Sequence, residues 1–176
     1  MLFALRTAAQ RPDDSALLAH VDRLSRYRPL PRAQAPPERK SRDSNRTAPQ
    51  RKILIVDDSP TVRKLVTMTM EKSGYTVTSA ADGYEAADRL LKGLPDLILL
   101  DIAMPGIDGY QVCKLIKGNR ETANIPVVML SGKDGFFDKI RGRMAGSTAY
   151  ITKPFKPETL VQVVQKYCRP VHAAKV

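Results

Sequence analysis

Residues 53–60 read Ile-Leu-Ile-Val-Asp-Asp-Ser-Pro. Four branched apolar residues in a row describe a strand buried on both faces. The two acids that end it, Asp57 and Asp58, repel each other, and each resists leaving water. Ser59 and Pro60 then open a helix, because a Ser side chain can cap the first N–H groups and Pro suits the first helical position. Something must make a carboxylate pair at the end of a buried strand worth keeping.

Working outward, the same alternation recurs. Apolar runs at 53–56 (ILIV), 75–80 (YTVTSA), 96–100 (DLILL), 126–130 (PVVML) and 148–151 (TAYI) alternate with helical patterns near 60–72, 83–92, 108–118, 134–145 and 157–167. Gly74 follows the first helix as a C-terminal stop, and Asp82 with Glu85 is spaced like a capping box. Strands separated by helices imply parallel pairing and right-handed crossovers. The predicted fold class is therefore α/β, a doubly wound five-stranded parallel sheet with helices on both faces. Ligands of such sheets sit at the carboxyl ends of the strands, near a switch in strand order. Asp57 and Asp58 end the first strand and Asp101 the third, Ser131 follows the fourth and Lys153 the fifth. Three acids, a hydroxyl and an ammonium should converge on one edge.

Oxygen ligands alone suit a hard cation, and Mg²⁺ fits few carboxylates and several retained waters. A cation relieves the repulsion within the acid pair. It does not explain Lys153 or Ser131, which a phosphoryl group does. A carboxylate can attack phosphorus to give an aspartyl phosphate, with the ammonium and the cation neutralising charge and the hydroxyl donating to a phosphoryl oxygen. The new group carries roughly −1.5 to −2 charge if it ionises like other phosphate monoesters.

At this point the sequence resembles the receiver domains of two-component response regulators. IVDDSPTVRKL at 55–65, ADGYEA at 81–86, LILLDIAMPGIDGY at 97–110, VVMLSGKDG at 127–135 and YITKPF at 150–155 occur in that family's order and spacing, over residues 51–168. The resemblance implies a (βα)5 flavodoxin-like domain over 51–169. Asp101 would be both the phosphoacceptor and a metal ligand, with Asp57 and Asp58 the other magnesium acids and the Ala103 carbonyl a further ligand. Ser131 would be the hydroxyl that moves toward the phosphate, Lys153 its cationic partner, and Tyr150 an aromatic switch. Lys153-Pro154 looks like the family's cis peptide. Ala103 and Lys133, two residues past the phosphoacceptor and the switch hydroxyl, would flank the path of attacking water and tune phosphate lifetime.

The run SGKDGFFDKIRGRMAGSTAYITKPF is similar to single-domain receivers of type IV pilus, or twitching-motility, chemotaxis-like systems. That similarity implies a histidine kinase or phosphotransfer protein as phosphodonor. The output would be a protein contact on the face made by the fourth and fifth predicted helices and the fifth strand. Lys139, Arg141 and Lys156 give that face basic character that an acidic partner could read, or are simply solvated. Phe136, Phe137, Ile140 and Met144 read as the buried stripe of the fourth helix.

The chain has 176 residues and a net charge of +11. Residues 1–50 hold ten basic and five acidic groups, and 51–176 hold nineteen and thirteen. Charge spread so evenly, without a dense basic run among aromatics, does not favour nucleic acid. Residues 28–50 carry five of the thirteen prolines and, Thr47 apart, nothing aromatic or β-branched, so the first 50 residues read as an Arg/Pro-rich tail. Within it, Leu17, Val21 and Leu24 share a helical face near 14–27, with Leu18 beside them. That segment is either a frayed helix on a dispensable tail or a docking helix for a partner. Residues 170–176 form a second short tail. No apolar run nears the roughly 18 residues of a membrane helix. Two cysteines and two histidines make neither a disulfide framework nor a zinc site. The expectation is a cytoplasmic signalling switch, not an enzyme, without a DNA-binding module. The competing readings are a receiver whose output is unrelated to motility and a phosphatase with an aspartate nucleophile. Such enzymes commonly carry a second acid two residues beyond the nucleophile, where this chain has Ala103. No Gly-x-Gly-x-x-Gly follows the first strand, which argues against a dinucleotide enzyme.

Overall fold

The computed structural model describes residues 50–132, 143 and 145–169. They form one five-stranded parallel sheet of order β2-β1-β3-β4-β5. The strands are β1 (Lys52–Val56), β2 (Thr76–Ala80), β3 (Leu97–Asp101), β4 (Val127–Ser131) and β5 (Ala149–Thr152). Four helices are described: α1 (Pro60–Lys72), α2 (Gly83–Lys92), α3 (Gly109–Gly118) and α4 (Pro157–Tyr167). The helix predicted at 134–145 falls almost wholly outside the described residues, as do Lys133, the aromatic stripe, Lys139, Arg141 and both tails.

Strand alternation builds two cores. Leu54, Val56, Ile98, Leu100, Val127 and Met129 face α2 and α3, where they meet Leu90, Val112, Cys113 and Ile116. The residues between them, Ile53, Ile55, Leu97, Leu99, Val128 and Leu130, face α1 and α4 and meet Val66, Met70, Leu160 and Val164. Successive side chains point to opposite faces of a strand, so a strand apolar at every position needs cover on both sides. The sheet with its two helical layers is the three-layer arrangement the sequence pattern implies.

Caps set where each helix begins. Ser59 Oγ accepts from Val62 N at 3.4 Å with Pro60 at the first helical position, and Asp82 and Asp108 accept from Glu85 N and Gln111 N, each at 2.8 Å. The capping box differs in detail from its usual form, since Glu85 reaches past the cap to Ala81 N at 2.9 Å. Gly74 takes φ +87° after α1, a left-handed conformation that glycine adopts freely. β3 ends on Asp101, where the sequence places it, and starts at Leu97, one residue inside the 96–100 run. Asp96 is drawn off to Lys52 N (2.8 Å) and Arg51 Nη1 (2.6 Å), while Asp101 pairs with Leu130 inside the sheet.

Candidate functional site

The strand order reverses between β1 and β3, with β2 outside one and β4 outside the other. The carboxyl ends of β1 and β3 flank that switch point, where doubly wound sheets bind ligands. Asp57 follows β1 directly, its N–H donating to Ala80 O at 3.2 Å, and Asp101 is the last residue of β3. Both are buried, whereas Asp58 faces solvent. One carboxylate oxygen from each of Asp57, Asp58 and Asp101 lies within 4.8 Å of the others.

Lys153 crosses the mouth of this cluster from just past β5. Its Nζ donates to Asp57 Oδ2 at 2.6 Å and sits 3.0 Å from Asp101 Oδ1. The second contact is an ion pair in poor hydrogen-bond geometry, and among the described residues Asp101 Oδ1 has no further hydrogen-bond partner. Burial pushes the Asp57 carboxyl above the usual carboxylate range, although hydrogen bonds from Lys153 and the Ser59 N–H (2.9 Å) oppose the shift. For Lys153 the balance runs the other way. Burial lowers its affinity for the proton, but the two aspartates outweigh it and hold the ammonium above its ordinary value. The two partners thus shift for different reasons: desolvation dominates at Asp57, attraction at Lys153.

The remaining predicted residues arrange themselves around this core. Ser131 ends β4, buried, and its carbonyl accepts from Lys153 N at 2.6 Å, which ties the lysine's backbone to the neighbouring strand. The Lys153-Pro154 peptide is cis. Ala103 is exposed in the loop after β3. Tyr150 sits on β5 with its hydroxyl donating to the Tyr110 hydroxyl at 3.3 Å, packed against the α2–α3 side of the sheet.

Two contributors escape the sequence reading. Arg63 Nη1 donates to the Asp57 carbonyl at 2.5 Å, pinning the loop that carries the acids to the first turn of α1. A basic residue in a helix's first turn opposes the dipole, and that was the available signal. Gly109 stands where a Cβ would come within 2.1 Å of the Asp101 carbonyl oxygen and 2.9 Å of Ile102 Cα. Its N–H also donates to Ile102 O at 3.1 Å. A glycine at the first position of a helix, after a good Asp cap, hints at such a contact without naming the partner.

An oxygen-only donor set of three acids suits a hard cation such as Mg²⁺. Asp101 Oδ1, held by Lys153 in poor hydrogen-bond geometry, is the atom that such an ion, or a transferred group, would engage. The fold and the acid–lysine constellation at its switch point together define a flavodoxin-like receiver.

The chain belongs to the response regulator receiver domain family, which matches residues 53–165. It is 43% identical over 116 residues to protein PilG of Pseudomonas aeruginosa, spanning 66% of this chain and 86% of that one. The solved structure of chemotaxis protein CheY4 of Vibrio cholerae is 34% identical with a TM-score of 0.66, covering 68% of this chain and 99% of that one. The receiver domain of the P. aeruginosa sensor histidine kinase PA1611, solved with a magnesium ion coordinated in its active-site cleft, is 28% identical with a TM-score of 0.63, over 68% and 98% of the two chains. Two further curated relatives are transcriptional regulators of which this chain spans 49% and 44%.

Proposed function

We propose that the protein is a phosphorylation-operated switch that takes a phosphoryl group onto Asp101 and answers by changing what it binds. The observation that carries this reading is Lys153 Nζ held between buried Asp57 Oδ2 and buried Asp101 Oδ1, at 2.6 and 3.0 Å. In this reading an Asp101 oxygen attacks the phosphorus of a phosphohistidine donor. The N–P bond breaks, and its electron pair returns to the imidazole, which takes a proton. Lys153 then trades part of its contact with Asp101 for a phosphoryl oxygen, and the Ser131 hydroxyl donates to another. Asp57, Asp58, Asp101 and the Ala103 carbonyl would hold Mg²⁺, which when bound supplies positive charge against the phosphoryl oxygens. Tyr150 would carry the change to the face bearing β5 and α4 by leaving its partnership with Tyr110. Ala103, too short to orient a water, and Lys133 would set how long the phosphoryl group persists.

Residues 51–169 act as the receiver in this scheme, between tails at 1–50 and 170–176. The donor is a histidine kinase or phosphotransfer protein. The likeness to PilG and CheY4 supports pilus-linked or chemotaxis-like motility as the output, read by a protein and not by DNA. Among the described residues no helix is long and apolar enough to cross a membrane, and the proposed site of action is the cytoplasm. The test is incubation with phosphoramidate or acetyl phosphate and Mg²⁺. One equivalent should label Asp101 and decay slowly, with no labelling of Asp101→Ala. Label on another residue, or many turnovers of unrelated phosphoesters as a phosphatase gives, would overturn the reading.

A further inference from the structure

Leu65 and Met68 on α1 are 45% and 48% exposed, and they are the large apolar side chains left exposed among the described residues. They stand on one helical face at i and i+3. Beside them α1 and α4 bound a groove of about 570 Å³ whose walls include Met68, Lys72, Ser73, Pro157 and Val161. A second hollow continues from Leu65 and Met68 up to Pro60 and Thr61. None of the site residues lines either hollow.

We propose that the apolar face of residues 15–24 of this same chain seats in the groove between α1 and α4, covering Leu65 and Met68. Leu17, Val21 and Leu24, with Leu18 at their edge, form a stripe of the length and spacing that an apolar groove between two helices accepts. The chain enters the sheet at the right place. Arg51 O accepts from Thr76 N at 2.9 Å, and Gln50 Oε1 accepts from Thr76 Oγ1 at 3.0 Å. Thr76 lies three residues beyond Ser73, which caps α1 and lines the groove. The tail therefore leaves the domain beside the groove's end.

Residues 25–49 supply twenty-five residues of connection. They need to span far less than the roughly 80 Å such a length can reach when extended. Tethering of this kind raises the local concentration into the millimolar range, so a shallow groove suffices for occupancy.

The test uses the full chain with a nitroxide attached at Ser25→Cys, since Cys113 and Cys168 are buried. The expected result is severalfold line broadening of amides over 64–73 and 157–162, lost when Leu17, Val21 and Leu24 are all changed to Glu. Broadening that is absent, or equal in the Glu variant, overturns the proposal. So does broadening that falls on dilution with unlabelled protein, which assigns the groove to a second copy. Asp101 stays unmodified throughout, so failure here is separate from failure of the phosphoacceptor reading.

Discussion

At the scale of single residues, the Asp57 carboxylate is fully buried and its compensating charge is Lys153, at 22% exposure. Removing one partner of a buried pair leaves the other uncompensated, which costs more than the pair contributed. Lys153→Met keeps the chain volume and deletes the charge. It should lower stability at pH 7 by about 2–4 kcal/mol, read as a shift in urea midpoint. The pH dependence fixes the cause. Burial already raises the folded pKa of Asp57 above its unfolded value, so its contribution to stability is present at low pH and lost as pH rises through the folded pKa. Without Lys153 that pKa rises further. The deficit of the variant relative to wild type should therefore shrink as pH falls toward the ordinary aspartate range. An equal deficit at pH 7 and pH 4.5 would assign the loss to packing instead.

Elements position these residues, and two glycines separate packing that is exacting from packing that can yield. A Cβ on Gly109 meets backbone, the Asp101 carbonyl at 2.1 Å, whereas one on Gly83 meets the end of a side chain, Val112 Cγ2 at 2.9 Å. Gly83→Ala should cost less, about 1–2 kcal/mol, because the clash is with a side chain and Ala improves helix propensity, although Val112 is buried and β-branched and so yields only by a small shift. Gly109→Ala must push α3 away from β3, and it should cost at least about 3 kcal/mol and slow labelling of Asp101 even where it folds. Equal midpoints for the two variants would remove this distinction. The start of α2 makes a smaller prediction with a definite sign. The Ala81 N–H and then Arg89 hold the Glu85 carboxyl below its usual range, so its stabilisation is present above the unfolded pKa and lost as pH falls through the folded one. Glu85→Ala should cost about 0.5–1 kcal/mol at pH 7 and almost nothing at pH 3, measured by thermal melts. These contrasts also show what a sequence can carry. Asp57 and Asp101 were legible at strand ends because four consecutive apolar residues, 53–56 and 97–100, precede them. The Gly109 contact was not legible, because it depends on how closely α3 approaches a carbonyl. Asp96 stands outside β3 and accepts from Lys52 N across 44 residues, a tertiary contact that no local pattern encodes. The acids and Lys153 were legible as a group at strand ends, whereas Arg63 and Gly109 took their places only through folded geometry.

At the scale of the whole molecule, the two cores and the site compete over one stretch of chain. The apolar strands bury Asp57 and Asp101 because each lies within one residue of a segment covered on both faces. Folding therefore brings two carboxylates out of water toward one ammonium, with a third acid at the rim, and the excess negative charge opposes folding. A cation that binds only the folded arrangement must stabilise it by RT ln(1 + [L]/Kd), about 2.7 kcal/mol at one hundred times Kd. For a domain of this size Mg²⁺ at that level should raise Tm by roughly 6–15 °C, and EDTA should reverse it. Asp58→Asn offers a clean control, since Asp58 is exposed and its loss should leave the metal-free Tm nearly unchanged while removing most of the Mg²⁺ shift. Asp101→Asn should instead raise the metal-free Tm by relieving repulsion, and weaken the response to the ion. Protons compete with the cation for the same oxygens, so the wild-type shift must fade as pH falls toward 4. A Mg²⁺ shift that is the same in wild type, Asp58→Asn and Asp101→Asn would mean that the ion binds elsewhere, and that the strain at the sheet's switch point is offset by Lys153 alone.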